Sequence, residues 1–220
     1  MVRRIFVTSD LHFSHHNIIK YCDRPFSSVL EMNDTLVESW NSVVKENDVV
    51  IIIGDYVLGN RTAVEEVTAK LKGYKILVKG NHDRCSNTAY RNAGIKKVFK
   101  TLLLDTSDLG LPFLNQLIIN HFPTESNGAS LVLHGHIHSK DNYGTLDMVD
   151  IGIDSKTPKK IIKNEKASAL YREGQEFKPY NIEKLLDVLL GDIEDKEPRH
   201  KVIAIIKERL LIQLGLREKE

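Results

Sequence analysis

The chain has 220 residues, of which 41% are hydrophobic and 28% charged. That composition is ordinary for a globular protein, long enough to bury most of its apolar surface in one core, and it argues against disorder. Thirty-one basic residues against 30 acidic ones leave a net charge of +1, so the whole-molecule field offers no broad attraction to nucleic acid or to a membrane, although a local patch stays open.

Arg4–Ser9 (RIFVTS) reads as a buried strand that ends at Asp10. No long apolar segment or cleavage site precedes it, so export is not expected, and no apolar run is long enough to span a bilayer. Cys22 and Cys85 are the only cysteines. They lack paired-motif spacing and fit a reducing, cytoplasmic setting better than a disulfide frame. A helix is expected from about Glu31 to Val44, where Met32, Leu36, Trp40 and Val43 or Val44 recur at helical spacing behind Ser27 and Ser28. Asp48–Ile53 (DVVIII) is a continuous apolar run, hence a buried strand, and stops at Gly54-Asp55. A second helix, Thr62–Leu71, stops at Gly73, and a third strand, Lys75–Lys79, stops at Gly80-Asn81-His82-Asp83. A short helix follows over Asn87–Asn92. Strands then dominate: Lys97–Leu104, Gln116–Asn120, Ser130–His134, Asp147–Ile153 and Ala167–Tyr171. From Asn181 the texture changes to two amphipathic helices, Ile182–Leu190 and His200–Leu214, joined by a charged turn over Gly191–Pro198. Packing on the sheet or on a second subunit is the expected use of these helices, with partner docking as the sharper alternative.

Asp10-Leu11-His12, Gly54-Asp55, Gly80-Asn81-His82-Asp83, His121 and Gly135-His136-Ile137-His138 all fall at the carboxyl ends of expected strands. Loops from several strands converge there in α/β sheets. Carboxylate, imidazole and carboxamide without thiolate suit Mn²⁺, Fe²⁺, Ni²⁺ or Zn²⁺. Seven such groups are too many for one tetrahedral ion, whereas a carboxylate shared by two ions roughly 3.5 to 4 Å apart would use them all. Asp10/His12 and His136/His138 would each face one way along an extended backbone, and the glycines at 54, 80 and 135 would let the chain turn close to the site.

The ordered pattern D-x-H, G-D, G-N-H-[DE], H and G-H-x-H, spanning Asp10 to His138, resembles that of the calcineurin-like metallophosphoesterases. DLHFSHHNII, RPF with EMND and SWN, and VIIIGD resemble a small bacterial and phage-type subgroup. The resemblance implies a four-layer α/β/β/α sandwich over residues 1–180, with the C-terminal helices of 181–220 packed on it. It implies that Asp10, His12 and His138 bind one divalent ion, that Asn81, His121 and His136 bind the other, and that Asp55 bridges them. Manganese is expected first. His82 would be the catalytic acid and Asp83 would orient it, with a hydroxide between the ions attacking phosphorus. A phosphodiester, small or nucleotide-like, is the expected substrate; a nuclease and a non-enzymatic binding module are the alternatives.

Other residues carry two readings. His121 alone would be structural, but Phe122-Pro123 after it matches the family's H-[YF]-P. His134 is either an outer partner of a ligand or a satisfied core group. His15, Arg24 and Arg84 are candidate substrate contacts; helix capping competes for His15 and Asn17, and a loop-pinning ion pair for Arg24, Arg84 and Asp48. His16 and His200 read as surface, Trp40 and Asn41 as core and cap, and Gly152 and Asp154 as structural. The segment 155–177 departs from the subgroup as an insertion holding Lys156, Lys159, Lys160, Lys163 and Lys166, read as a solvated loop with a phosphate-facing flap as the alternative.

Overall fold

Val49–Ile53 is apolar throughout because both of its faces are covered. A computed structural model describes residues 3–111, 114–124, 130–138, 148–155, 177–191 and 196–217. In it, β1 (Ile5–Thr8), β2 (Val49–Ile53), β3 (Tyr74–Val78) and β4 (Lys97–Phe99) run parallel, and β9 (Tyr180–Asn181) adds antiparallel to β1, giving the order β4-β3-β2-β1-β9. A second sheet, in the order β5-β6-β7-β8, contains β5 (Thr101–Asp105), β6 (Gln116–Asn120), β7 (Ser130–His134) and β8 (Met148–Asp150). In this sheet only the β5–β6 pair is antiparallel.

Alternation along the strands splits the core in two. Ile5, Val7, Val49, Ile51, Ile53, Ile76 and Val78 share one cluster with Leu117, Ile119, Leu131 and Leu133 of the second sheet. Phe6, Val50, Ile52 and Leu77 point the other way, against Met32, Leu36 and Trp40 of α2 (Val29–Val43) and Val64 and Val67 of α3 (Arg61–Lys70). The helix α2 starts at a reciprocal cap: Ser28 Oγ accepts from Glu31 N (3.1 Å), and the Glu31 carboxylate accepts from Ser27 N (2.8 Å). Trp40 is buried and Asn41 bridges the backbone of Lys70 and Lys72, so both residues are core and cap. The two helix-flanked sheets are the sandwich that the motifs imply.

Several expected elements are revised. The single strand Lys97–Leu104 breaks at Lys100, and its halves join different sheets, β4 pairing with β3 and β5 with β6. No glycine or proline marks that break; only the pairing partners decide it. Of the expected strand Asp147–Ile153, whose first residue lies outside the described ones, Met148–Asp150 pair in the ladder, after which Gly152 bridges to Ser9, just beyond β1. An unexpected short helix, α1 (Ile18–Tyr21), follows the first motif, with Asn17 at its N-cap making no side-chain hydrogen bond, whereas the expected helix over Asn87–Asn92 forms as α4. The charged turn Gly191–Pro198 is shorter than expected, since α6 (Lys196–Gln213) begins before Pro198. Proline is tolerated there because the first turn of a helix has no internal use for its N–H groups. Leu185 and Leu186 of α5 (Ile182–Leu189) and Ile203, Ile206, Leu210 and Leu211 of α6 join the inter-sheet core. Ala167–Tyr171 and the five lysines of the insertion lie outside the described residues. Among those residues no helix is long and apolar enough to cross a membrane.

Candidate metal centre

The loops after β1 and β2 continue to pair beyond the strands. Asp10 N donates to Gly54 O (3.2 Å), His12 N to Asp55 O (2.8 Å) and Phe13 N to Tyr56 O (3.0 Å). This pairing holds an irregular backbone: Asp10, His12, Asp55, His136 and His138 all take positive φ, between 47° and 75°. The regular extended D-x-H and H-x-H segments expected from the sequence are therefore not what places these side chains. Each left-handed residue costs about 1–3 kcal/mol, which surrounding hydrogen bonds and packing must offset. Gly54, at φ +78°, takes the same region without that cost, and a methyl group there would overlap the His121 ring. At Gly135 the requirement is space, since a Cβ would collide with the Ser9 hydroxyl and the Asp10 carboxylate.

All seven expected ligands come together. Potential ligand atoms of Asp10, His12, Asp55 and His138 lie within 4.8 Å of one another, and so do those of Asp55, His121 and His136. Asn81 Oδ1 joins the second group, at 3.1 Å from His121 Nε2 and 3.0 Å from His136 Nδ1. Asp55 Oδ2 is 3.4 Å from both His12 Nε2 and His121 Nε2. His12 Nε2 and His138 Nε2 face each other at 3.3 Å. Two ligand nitrogens on one tetrahedral ion, at about 2.0–2.1 Å each, stand roughly 3.3 Å apart, so this donor set and this convergence fit a divalent cation.

The outer contacts are as specific. Asp10 accepts from His136 N on both carboxylate oxygens (3.1 Å each). Arg24 is buried, with Nε and Nη2 on the two Asp154 oxygens (2.8 and 2.7 Å), Nη2 also on Asp10 O (2.7 Å) and Nη1 on Leu11 O (2.9 Å). Its guanidinium is thus committed inside the protein, which is the loop-pinning reading and not the substrate-contact one. Asp48 likewise pairs with Arg4. Asp154 in turn accepts from His138 Nδ1 (2.8 Å). Asp154 thus goes beyond the structural use expected of it; its signal along the chain is an acidic residue closing the strand VDIGID, 16 positions after His138.

Asp83 is corrected. Its carboxylate accepts from the backbone N–H groups of Asp55 (2.9 Å), Gly80 (2.8 Å) and Tyr56 (3.1 Å), and the Tyr90 hydroxyl approaches at 3.4 Å. It clamps two motif loops together and makes no hydrogen bond to the His82 ring. That ring stands at the rim, one-third exposed, with Nε2 4.0 Å from Asp55 Oδ2, while His82 N donates to Asp55 Oδ1 (2.9 Å). Buried His82 Nδ1 has no hydrogen-bond partner among the described residues. Arg84 is exposed just beyond it, and His15 faces His12. His134 is buried, with Nδ1 2.9 Å from Gly135 O.

Burial sets the electrostatics and the neighbouring charges redirect it. Burial lowers His12 to about 3 and raises Asp10 to about 7. Asp55 would rise by burial, but its hydrogen bond with His121 and that histidine's charge outweigh this and hold it near 2. Burial likewise opposes protonation of His138, yet the hydrogen bond to Asp154, then Cys22 and the Asp10 and Asp154 charges, lift it to about 10.

A cation taken up at His138 Nε2 must therefore displace a proton. Affinity is expected to climb by roughly tenfold per pH unit for each proton released as pH rises from about 6 to about 8. Competition against a fluorescent chelator measures this, and a flat profile would contradict the Asp154–His138 assignment.

A family model described as calcineurin-like phosphoesterase matches residues 3–189. An uncharacterised protein of Methanocaldococcus jannaschii is 47% identical over 85 residues, 38% of this chain and 48% of that protein; the chain thus matches about half of that relative's length. The Gene 66 protein of Mycobacterium phage D29 is 27% identical over 179 residues (69% of this chain, 88% of that protein). Its counterpart in phage L5 is 25% identical over 159 residues (60% and 76%). A solved protein of unknown function from Aquifex aeolicus superposes with a TM-score of 0.53 at 18% identity, covering 70% of this chain and 91% of that one, a likeness of fold alone. With its motifs in order and a family match over residues 3–189, this protein belongs to the calcineurin-like phosphoesterase family.

Proposed function

We propose that the protein hydrolyses a phosphodiester with the help of two divalent cations, Mn²⁺ first among them. The observation that carries this reading is that two groups of ligand atoms share one carboxylate, Asp55. Asp10, His12, Asp55 and His138 would hold one cation, and Asp55, Asn81, His121 and His136 the other. When bound, such a pair lowers the pKa of coordinated water and neutralises charge on the phosphoryl oxygens.

The chain's own residues supply the remainder. His82, its ring one-third exposed at the rim, donates a proton to the departing alkoxide, and Asp55 holds the His82 backbone. Asp83 keeps the two loops in register, and exposed Arg84 meets the outer charge of the phosphate. Two exposed aromatic rings touch site histidines: Phe122 lies 4.8 Å from His136 and Tyr21 6.2 Å from His15, centroid to centroid. Rings so placed favour a small ester carrying a flat aromatic or nucleobase group over one with an alkyl group, because a planar group gains by stacking. The net charge of +1 favours a small substrate over a polymeric nucleic acid.

The test is to strip the protein with chelator, restore it with Mn²⁺ and assay aryl, nucleoside and dialkyl phosphodiesters beside monoesters and oligonucleotides. Turnover of aryl and nucleoside diesters is expected to return with about two equivalents of metal. An absence of hydrolysis with saturating Mn²⁺, Fe²⁺, Ni²⁺ or Zn²⁺ would instead favour a binding module, and salt-sensitive cleavage of the oligonucleotide alone would favour a nuclease.

A further inference from the structure

Three imidazoles of the site are held from behind in one manner, but by three kinds of group. His121 turns Nε2 toward Asp55 (3.4 Å) and Nδ1 toward the carbonyl of Ile53 (2.9 Å). His138 turns Nε2 toward Asp10 (3.6 Å) and Nδ1 toward Asp154 (2.8 Å). His12 turns Nε2 toward Asp55 (3.4 Å) and His138 (3.3 Å), and its Nδ1 meets Nδ1 of His15 at 3.2 Å. A carbonyl and an ionised carboxylate only accept hydrogen bonds. Opposite them a neutral ring keeps its proton on Nδ1, so that whatever proton Nε2 carries is the one a cation displaces. An imidazole opposite Nδ1 gives no such guarantee, because it can donate as readily as accept.

We propose that His15 is a positioning residue: by accepting at its own Nδ1, it fixes His12 as the Nδ1–H tautomer and so presents the Nε2 lone pair of His12 to the cation. The inference rests on the reading of Asp10, His12, Asp55 and His138 as ligands of one ion. Were the hydrogen bond reversed, His12 would carry its proton on Nε2, aimed at Asp55 and His138 where the cation belongs. Proton and cation exclude each other there. His15 is also held in place. His15 N donates to His12 O (3.1 Å) in a tight turn, and Ser14 N donates to Asn33 Oδ1 on α2 (3.0 Å). The rings of Tyr21 and His82 close on the imidazole at 6.2 and 6.0 Å between centroids. With Nδ1 facing His12, this atom of His15 is not available to a substrate.

The assignment is tested with Zn²⁺ titrations of the wild-type, His15→Leu and His15→Asn proteins, and with nitrogen–proton correlation spectra of the His12 ring in metal-free wild-type protein. The leucine variant, which cannot accept a hydrogen bond, is expected to weaken one of the two Zn²⁺ sites about tenfold or more. The asparagine variant offers a carboxamide oxygen and should stay within about threefold of wild type. The spectrum should show the His12 proton on Nδ1. Wild-type affinity in a folded His15→Leu protein, or a His12 proton on Nε2, overturns the proposal; the asparagine variant and the wild-type spectrum decide it if the leucine variant does not fold. A wild-type protein that takes up no Zn²⁺, Mn²⁺ or Fe²⁺ at all would overturn the ligand reading itself.

Discussion

His82→Ala is expected to lower turnover by about 10²- to 10⁴-fold on a diester with a poor leaving group while leaving metal content unchanged. The ring belongs to neither cluster of potential ligand atoms. The hydrogen bond that ties its loop to the site, His82 N to Asp55 Oδ1 at 2.9 Å, is made by the backbone and survives the substitution. What the substitution should remove is the proposed proton donor at the rim. The loss should shrink for an aryl leaving group that departs without protonation, so kcat measured across leaving groups of increasing pKa should fall more steeply for the variant than for wild type. A variant fully active on the poorest leaving group would remove His82 from the mechanism.

Asp55→Asn should act at the opposite end of the scheme, on metal content itself. The carboxylate stands 3.4 Å from histidine nitrogens of both clusters. It is held ionised, near pKa 2, by His121 against the opposing effect of burial. The amide keeps the size and the acceptor for His82 N but removes the negative charge that the two proposed sites would share. Affinity for divalent cations is expected to fall by at least about 100-fold, read by elemental analysis after dialysis, with turnover falling in proportion. Two metal equivalents retained in the dialysed variant would show that Asp55 is not shared. The comparison separates the proposed roles: one substitution should spare metal and remove turnover, and the other should remove both.

Much of the site was legible along the chain because it is assembled from local signals. Gly54-Asp55, Gly80-Asn81-His82 and Gly135-His136-Ile137-His138 each end an apolar run, and a buried strand of a parallel sheet has nowhere to deliver its carboxyl end except the rim where such loops meet. The crossover helices α2 and α3 were legible for a similar reason, since Met32, Leu36 and Trp40, and then Val64 and Val67, repeat at the period of the face they bury.

The misreadings share a different cause. Asp83 looks like a partner for its neighbour His82, yet its carboxylate is spent on the N–H groups of Asp55, Tyr56 and Gly80. Arg24 looks like a phosphate ligand, yet it closes on Asp154, 130 positions away. The run Lys97–Leu104 looks like one strand, yet its halves serve two sheets.

The order of strands and helices, the apolar faces they bury and the identity of the groups gathered at the rim were determined by the sequence itself, because periodicity and residue chemistry act over a few positions. Only the tertiary structure decided which nitrogen of each histidine faces inward, which carboxylate stands behind it and where a strand changes sheets. Those outcomes depend on hydrogen bonds between groups far apart along the chain, such as His138 with Asp154 and His121 with the carbonyl of Ile53, and no local pattern encodes the partner.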